Sequence, residues 1–319
     1  MRTFPPLLLV ALLLPAIAHA APTPTQWARY LLPLPKELKF EGSATVPLTS
    51  VAIQTPATGD LVGPAADLLK QVLAVEPVGA PRFTVTLALC DASGRVGGAR
   101  APEAARLPKL ENSDQAYAII PQKNALMLAA LTDRGLYYAA LTLSELLQPT
   151  RTADSVTIPL VRIVDWPDLS ERGLWGGNAT GDIPWMSSVK MNVVEAHFSA
   201  RVNPDGHVTV TSSPDLIQQG YLHALKVVPV VTHLDQLSGT GLYDIYPDAM
   251  GQGPGAHLQG YTDVIAPCSS NPHLQRFLAE WMTEYARWAH VNDVCLWLSE
   301  NALACGCPEC AKKGAATCA

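Results

Sequence analysis

Short apolar runs alternate with helical patterns through the second half of the chain. The runs are residues 173–175, 193–198, 227–231 and 294–298, and the clearest helical pattern between them is residues 272–290. Such alternation is typical of parallel β/α units, because a parallel strand needs a crossover before the next strand begins. The pattern predicts about four such units.

The length of this half limits what the units can build. A (β/α)8 barrel typically uses about 250 residues and at least about 200, whereas residues 161–319 number 159. We therefore predict an incomplete TIM (β/α)8 barrel domain over residues 161–319. A C-terminal half-barrel segment is expected to be missing, so a partner segment or a truncated gene product is anticipated.

Residues 21–160 show a different order of strand and helix patterns, which predicts a small α+β domain. The predicted strands are residues 50–54, 83–89, 116–121 and 125–130, and the predicted helices are residues 61–75 and 136–147. Polar residues 122–124 separate the last two strands, which predicts a hairpin. A sheet with two helices on one face fits this order.

The N-terminus has the pattern of a secretory signal peptide. Arg2 precedes the apolar residues 7–14, and Ala18-His19-Ala20 forms a small-x-small cleavage site. A retained anchor is the alternative, although the apolar run is shorter than the roughly 20 residues of a spanning helix. We expect residues 1–20 to be removed, no membrane association afterwards, and a secreted or periplasmic protein.

Composition and charge narrow the class of partner. Hydrophobic residues make up 48% of the chain, which is enough for a core, and the formal charge of −6 gives no general attraction to phosphate backbones. Residues 21–150 are neutral, whereas residues 151–319 contain 10 basic and 17 acidic residues. We therefore expect no nucleic-acid partner, and an acidic half suits neutral or cationic ligands.

Three stretches carry a resemblance to a known family. Residues 133–143 resemble an "RG-x-YYA-x-x-TL" helix, residues 163–168 with Arg172-Gly173 resemble "I-x-D-x-P-x-x-x-x-RG", and residues 190–192 with His197 resemble "KMN-x-x-x-x-H". In this order they resemble the family-20 glycoside hydrolases, the β-N-acetylhexosaminidases. The resemblance covers most of the mature chain and implies a non-catalytic N-terminal domain followed by a catalytic barrel. It implies a carbohydrate substrate and no cofactor.

The resemblance implies a role for Glu300, which follows the last predicted strand. The family places Gly-Gly-Asp-Glu there; its Glu protonates the leaving oxygen, and its Asp orients the substrate's acetamido group for internal attack. Glu300 fits the acid, whereas Ser299 replaces the Asp and cannot supply its negative charge. Either the substrate lacks the N-acetyl group, or another carboxylate substitutes, or catalysis is lost. A surface glutamate at a loop start is the alternative for Glu300.

Four further residues are candidate sugar-binding groups. The resemblance implies that Arg172 grips sugar hydroxyls with its guanidinium, and an ion pair with Asp165 or Asp168 between the domains is the alternative. His197 and His233 follow predicted strands, where a barrel places its active site. The family has a "PE-x-x-x-PGH" segment in this region, and the present sequence lacks the Glu of that segment before His233. Trp175 follows the first strand and could stack on a sugar, as could Trp185; Trp281 and Trp288 lie at helical spacing and suit a core.

The cysteines allow two chemistries. Cys305, Cys307 and Cys310 form C-x-C-x-x-C, and Cys318 lies eight residues further on. Four thiolates at this spacing can close a zinc site. Disulfides are the favoured interpretation in an exported protein, so the leading expectation is no metal. A C-x-C-P-x-C loop after a Ser-Glu-Asn strand end also resembles loops of α-glucuronidase relatives.

These observations support a secreted glycoside hydrolase of the β-N-acetylhexosaminidase type. The alternatives are a non-catalytic or vestigial glycan-binding module, an α-glucuronidase-like barrel hydrolase, and a metal-binding periplasmic protein built around the cysteine loop.

Overall fold

The computed structural model describes residues 21–73, 77–297 and 299–313. The predicted signal peptide and Cys318 lie outside the described residues. The strands are β1 (Glu37–Pro47), β2 (Val51–Gln54), β3 (Phe83–Leu89), β4 (Arg95–Val96), β5 (Ala99–Arg100), β6 (Tyr117–Gln122), β7 (Ala125–Ala130), β8 (Ser155–Asp165), β9 (Gly173–Trp175), β10 (Val193–His197), β11 (Ala200–Val202), β12 (Val208–Val210), β13 (Lys226–Val231) and β14 (Cys295–Leu296).

The helices are α1 (Pro24–Ala28), α2 (Val62–Leu73), α3 (Asp133–Leu147), α4 (Gly177–Thr180), α5 (Ile183–Ser188), α6 (Pro214–Leu222), α7 (Leu242–Ile245), α8 (Pro272–Ala286) and α9 (Pro308–Lys313). Among the residues described, no helix combines the length and the apolar character needed to cross a membrane.

The first sheet has six strands in the order β1-β8-β6-β7-β3-β2. β2, β3 and β7 run parallel, whereas β6, β8 and β1 add antiparallel pairs. The predicted hairpin is confirmed as β6 and β7, with Asn124 in the left-handed region at φ 56°. Asparagine tolerates that conformation, which explains the turn at the polar residues.

Helices α2 and α3 pack on one face of this sheet and complete its core. Leu69, Leu128, Leu143 and other core side chains are fully buried there. Helix α3 begins with Thr132, whose hydroxyl accepts from the N–H of Gly135. Gly135 permits close helix–sheet contact, since a Cβ there would lie 2.6 Å from the carbonyl oxygen of Ala116. The expected sheet with two helices on one face is present.

The second sheet has four strands in the order β9-β10-β13-β14, all parallel. Each corresponds to one of the four predicted apolar runs. Helix α8 packs beneath it, with Phe277, Trp281 and Tyr285 in a buried cluster that includes Val194 and Val227. The predicted parallel arrangement is therefore confirmed, and a half-barrel sheet is present in a mixed α/β fold. Strand β8 of the first sheet runs through residue 160, the position of the predicted domain boundary.

Strand β9 approaches β10 so closely that only glycine fits at position 173. A Cβ on Gly173 would lie 2.0 Å from the carbonyl oxygen of Val193, which is backbone and cannot turn aside. We expect Gly173→Ala to lower the free energy of unfolding by about 1–3 kcal/mol, the usual range for forced overpacking. Gly177→Ala is the matched control, because no atom of the described residues is found within 4 Å of its Cβ position. Equal urea midpoints for the two variants would contradict the prediction.

Candidate active site at the carboxyl ends of the parallel strands

The carboxyl ends of β9 and β10 present three polar or aromatic side chains on one face. Val194 and Ala196 of β10 point into the core beneath the sheet. Alternation therefore turns Glu195 and His197 to the opposite face. Trp175 of β9 is in register with Glu195, and its side chain is exposed, with 67% of its surface accessible. These side chains are therefore on the face of the sheet away from the buried core beneath it.

Trp297, directly after β14, is the centre of this cluster. Its ring makes edge contacts with Trp175 (centroids 5.2 Å apart) and His197 (4.6 Å), and lies 5.3 Å from the ring of His233. Its indole N–H donates to Glu195 Oε2 at 3.3 Å. The structure thus brings His197, His233 and Trp175 together around one indole.

Glu300 lies at the edge of the same cluster. Its Oε1 is 4.0 Å from His233 Nε2, and its side chain is 79% exposed while that of His233 is 11% exposed. At this distance a carboxyl can exchange protons with an imidazole through one water, and its exposed position leaves room for a ligand. The structure thus places Glu300 beside His233 at the edge of the cluster, and its role as an acid stays a prediction.

A cavity of about 230 Å³ opens beside this cluster and contains a carboxylate absent from the sequence predictions. Trp297, Ser299 and Asp235 are among its lining residues. Asp235 is 2% exposed, and Asn301 Nδ2 donates to its Oδ2 at 2.9 Å. Among the described residues, its Oδ1 and the Ser299 hydroxyl have no hydrogen-bond partner. Buried polar atoms without a partner are rare and call for an explanation.

Sequence reasoning missed three residues of this site: Glu195, Asp235 and Trp297. The period-2 pattern of β10 was sufficient to place Glu195 beside His197 on one face. No sequence pattern predicted the positions of Asp235 and Trp297, because each lies in a loop after a strand.

Arg172 lies at the other end of the sheet, just before β9. Its guanidinium donates to the carbonyl oxygens of Lys190 (2.8 and 3.0 Å) and Leu169 (2.6 Å) and to Gln115 Oε1 (3.0 Å). Asn192 accepts from the Arg172 N–H at 2.8 Å. The structure does not bring Arg172 together with His197, His233 and Glu300, so its sugar-binding role stays a prediction that this geometry does not support.

Residues from the three stretches that resemble family-20 sequences meet in a buried polar network between the two sheets. Lys190 Nζ donates to Tyr117 (2.9 Å) and Asp165 Oδ2 (3.3 Å), and the Tyr117 hydroxyl donates to the same carboxylate oxygen at 2.9 Å. Thr142 bonds to Tyr117 at 2.6 Å. Burial lowers the pKa of the Lys190 ammonium group, and the negative charge of Asp165, which acts to raise that pKa, offsets only part of the shift. This network holds the half-barrel sheet against the first sheet.

Glu145 of α3 lies near this network and titrates near neutrality. Burial raises the pKa of the Glu145 carboxyl to about 7. The positive charge of Lys190 and a hydrogen bond from the Leu32 N–H lower this pKa, but burial has the larger effect. Between the ordinary glutamate pKa of 4.5 and about 7, the folded chain keeps a proton on Glu145 that the unfolded chain releases. The free energy of unfolding therefore falls as the pH rises through this range.

We therefore expect Glu145→Gln to gain stability over the natural chain at pH 8 but not at pH 4. Urea midpoints for both proteins across this range measure the effect. Glu111→Gln, at an exposed position in the same half of the chain, should leave the pH dependence unchanged. A difference between Glu145→Gln and the natural chain that does not vary with pH would contradict the assignment.

The cysteine cluster contains one residue that the sequence analysis did not name. Cys305, Cys307 and Cys310 come together, as their spacing allowed, but the fourth sulfur is that of Cys268. Cys318 lies outside the described residues. None of the six cysteines in the described part of the chain forms a disulfide. Cys268 is distant in sequence, so no spacing motif could reveal it.

Comparison with known proteins agrees with this architecture. Residues 28–166 match the family described as glycosyl hydrolase family 20, domain 2. Comparison with curated proteins gives no match. Similar solved structures include an exo-β-N-acetylglucosaminidase from Vibrio harveyi in complex with N-acetylglucosamine (16% identity, TM-score 0.56, covering 81% of this chain and 45% of that one).

Two Streptomyces enzymes are also similar in fold. The N-acetyl-β-hexosaminidase of Streptomyces plicatus, in complex with Thio-NAglucal, has 15% identity and a TM-score of 0.57, covering 87% of this chain and 60% of that one. The family-20 β-N-acetylhexosaminidase of Streptomyces coelicolor A3(2) has 14% identity and a TM-score of 0.58, covering 86% and 60%. This chain therefore spans less than two thirds of the length of these structures. The resemblance predicted from the sequence is confirmed to this extent: residues 28–166 match domain 2 of glycosyl hydrolase family 20, and the chain is similar in fold to these family-20 structures.

Proposed function

We propose that this protein is a glycoside hydrolase of the β-N-acetylhexosaminidase type, with Glu300 as general acid. The observation that carries the proposal is the meeting of Glu300, His233 and His197 around Trp297 at the carboxyl ends of parallel strands. Barrel enzymes keep their catalytic groups at this end. A carboxylic acid beside a scissile glycosidic oxygen is what such hydrolysis requires.

The substrate class follows from the surface around Glu300. Trp175 and Trp297 present apolar ring surfaces of the kind that pyranose C–H groups stack against. The half of the chain that contains them is acidic, which suits a neutral sugar better than an anionic one. Related folds were solved with N-acetylglucosamine and Thio-NAglucal, so an N-acetylhexosamine at a non-reducing end is the proposed substrate.

Asp235 is the proposed substitute for the carboxylate missing at Ser299. It lines the same cavity as Ser299, and its Oδ1 accepts no hydrogen bond from the described part of the chain. A carboxylate so placed can orient a substrate amide and stabilise the positive charge that develops during internal attack. Asn301, which binds the other oxygen of Asp235, would fix its orientation.

The architecture of the proposed enzyme follows the sequence prediction except that the boundary lies after β8 and not at residue 160. The first sheet, to which β8 belongs as far as Asp165, forms a supporting α+β domain, and β9, β10, β13 and β14 belong to about four β/α units of a TIM barrel. The proposed substrate-binding roles of His197, His233 and Trp175 belong to that barrel. Removal of residues 1–20 would place the protein in the periplasm or outside the cell.

A non-catalytic glycan-binding module is the second candidate function. The observation that favours it is the 79% exposure of the Glu300 side chain together with Ser299 in place of an acidic neighbour. The aromatic surface at Trp175 and Trp297 would serve binding equally well.

One assay separates the two functions. The full chain is incubated with a chromogenic N-acetyl-β-glucosaminide, and binding of N-acetylglucosamine is followed in parallel by tryptophan fluorescence. Turnover supports the hydrolase. Saturable sugar binding without turnover supports the binding module, and neither turnover nor binding would overturn both. A chromogenic glucuronide, tested alongside, addresses the α-glucuronidase-like alternative.

A further inference from the structure

Four buried cysteine side chains meet outside the proposed active site. Cys305, Cys307 and Cys310 come from the segment after β14, and Cys268 comes from the loop before α8. All four are buried, and their Sγ atoms lie within 4.8 Å of one another. Nothing in the proposed hydrolysis uses this cluster.

The separations between the sulfur atoms match a tetrahedron around an ion. Cys268 Sγ is 3.6 Å from Cys307 Sγ and 3.8 Å from Cys310 Sγ. A tetrahedral site with zinc–sulfur bonds of about 2.3 Å has sulfur–sulfur edges of about 3.8 Å. A disulfide would require about 2.0 Å and one exclusive partner for each sulfur. Cys268 has two near neighbours at almost equal distance, as a shared ligand set requires.

The surroundings of the sulfurs suit thiolates. The backbone N–H groups of Gln252 and Cys307 point at Cys305 Sγ (3.4 and 3.5 Å), and that of Cys310 points at Cys307 Sγ (3.4 Å). Four thiolates around one divalent ion retain two negative charges, which these donors help to offset. Such hydrogen bonds around the ligands are a regular feature of metal sites.

We propose that Cys268, Cys305, Cys307 and Cys310 bind one structural zinc ion. Sulfur ligands in a tetrahedral set select zinc over harder divalent ions. Four protein ligands leave no open position, so the ion has a structural and not a catalytic role.

The ion joins two segments that border the proposed active site. Gly306 N–H donates to the Gln252 carbonyl at 2.7 Å, and Ala304 N–H donates to that of Gly255 at 2.9 Å. These two hydrogen bonds hold the segment that runs from Glu300 to the three clustered cysteines. Zinc therefore fixes the chain that carries the proposed acid, although the metal site itself does not depend on that proposal.

The full chain provides the test. Protein purified without chelator or added reductant should contain one zinc per chain by mass spectrometry of the metal. Replacement of zinc by cobalt should give the intense visible bands of a tetrahedral cobalt thiolate. Absence of zinc, with a non-reduced protein mass lower by the hydrogens lost in disulfide formation, would overturn the proposal.

Variants decide which cysteines are ligands. Cys268→Ser should lose the bound zinc, whereas Cys295→Ser, at a half-buried cysteine outside the cluster, should retain it. Cys318→Ser should also retain it. Retention in Cys268→Ser with loss in Cys318→Ser would refute the assigned ligand set. The cobalt spectrum of the unaltered chain tests the tetrahedral site even if Cys268→Ser fails to fold.

Discussion

Replacement of Lys190 by methionine is expected to lower the free energy of unfolding by about 3–5 kcal/mol, the usual effect of removing one partner of a buried ion pair. The Lys190 side chain is 6% exposed and that of Asp165 is 11% exposed. Methionine fills similar space but leaves the Asp165 carboxylate, among the residues that the structure describes, with the Tyr117 hydroxyl and the Lys36 N–H as its donors. The uncompensated charge, and not a lost contact, causes the effect.

Lys226→Met is the matched control. Lys226 pairs with Glu171 (2.9 Å) and Asp293 (2.8 Å), but its side chain is 35% exposed and those of its partners are 59% and 48% exposed. An ion pair in contact with water contributes at most about 1 kcal/mol. Urea unfolding of both variants measures the contrast, and a loss in Lys190→Met no larger than in Lys226→Met would refute it. Adding Asp165→Asn to Lys190→Met should restore part of the loss.

Much of the fold was predictable because local pattern and tertiary structure agree. The alternation of apolar side chains located β3 and the β6–β7 hairpin, and the apolar runs located the four parallel strands. Helix α8 ends at Ala286, before the predicted end at residue 290, because the Arg287 N–H turns back to the carbonyls of Glu284 and Tyr285. The order β1-β8-β6-β7-β3-β2 could not be predicted, since it depends on long-range pairing.

The site was less predictable, because a motif does not show which end of a strand it occupies. His197 ends β10, whereas His233 and Glu300 follow β13 and β14, and the structure brings these three residues to one place. Arg172 precedes its strand and binds carbonyl oxygens at the opposite end. The motif residues Asp165, Arg172 and Lys190, on which the family resemblance rests, thus lie between the two sheets, where buried polar contacts hold them.

Glu300→Gln is expected to reduce turnover of an N-acetyl-β-glucosaminide with a poor, alkyl-type leaving group by about 10²–10⁴-fold, the contribution typical of a positioned acid or base. The amide keeps the shape of the side chain but cannot deliver a proton to the leaving oxygen. Because 79% of the Glu300 side chain is exposed and His233 is its nearby ionisable neighbour, the change should leave folding and sugar binding intact. The loss should therefore appear in kcat, with KM for the sugar little changed.

Two comparison variants separate an acid from a surface glutamate. Glu284→Gln on α8, whose partner is the exposed Arg287, should retain full turnover. Asp235→Asn should also lower kcat, since it removes the charge proposed to orient the acetamido group, but a substrate with a good leaving group should rescue only Glu300→Gln. Such a substrate needs no protonation, whereas it still needs its amide oriented. Undiminished turnover in Glu300→Gln would remove this residue from the mechanism and leave the aromatic cluster at Trp297 as a binding surface.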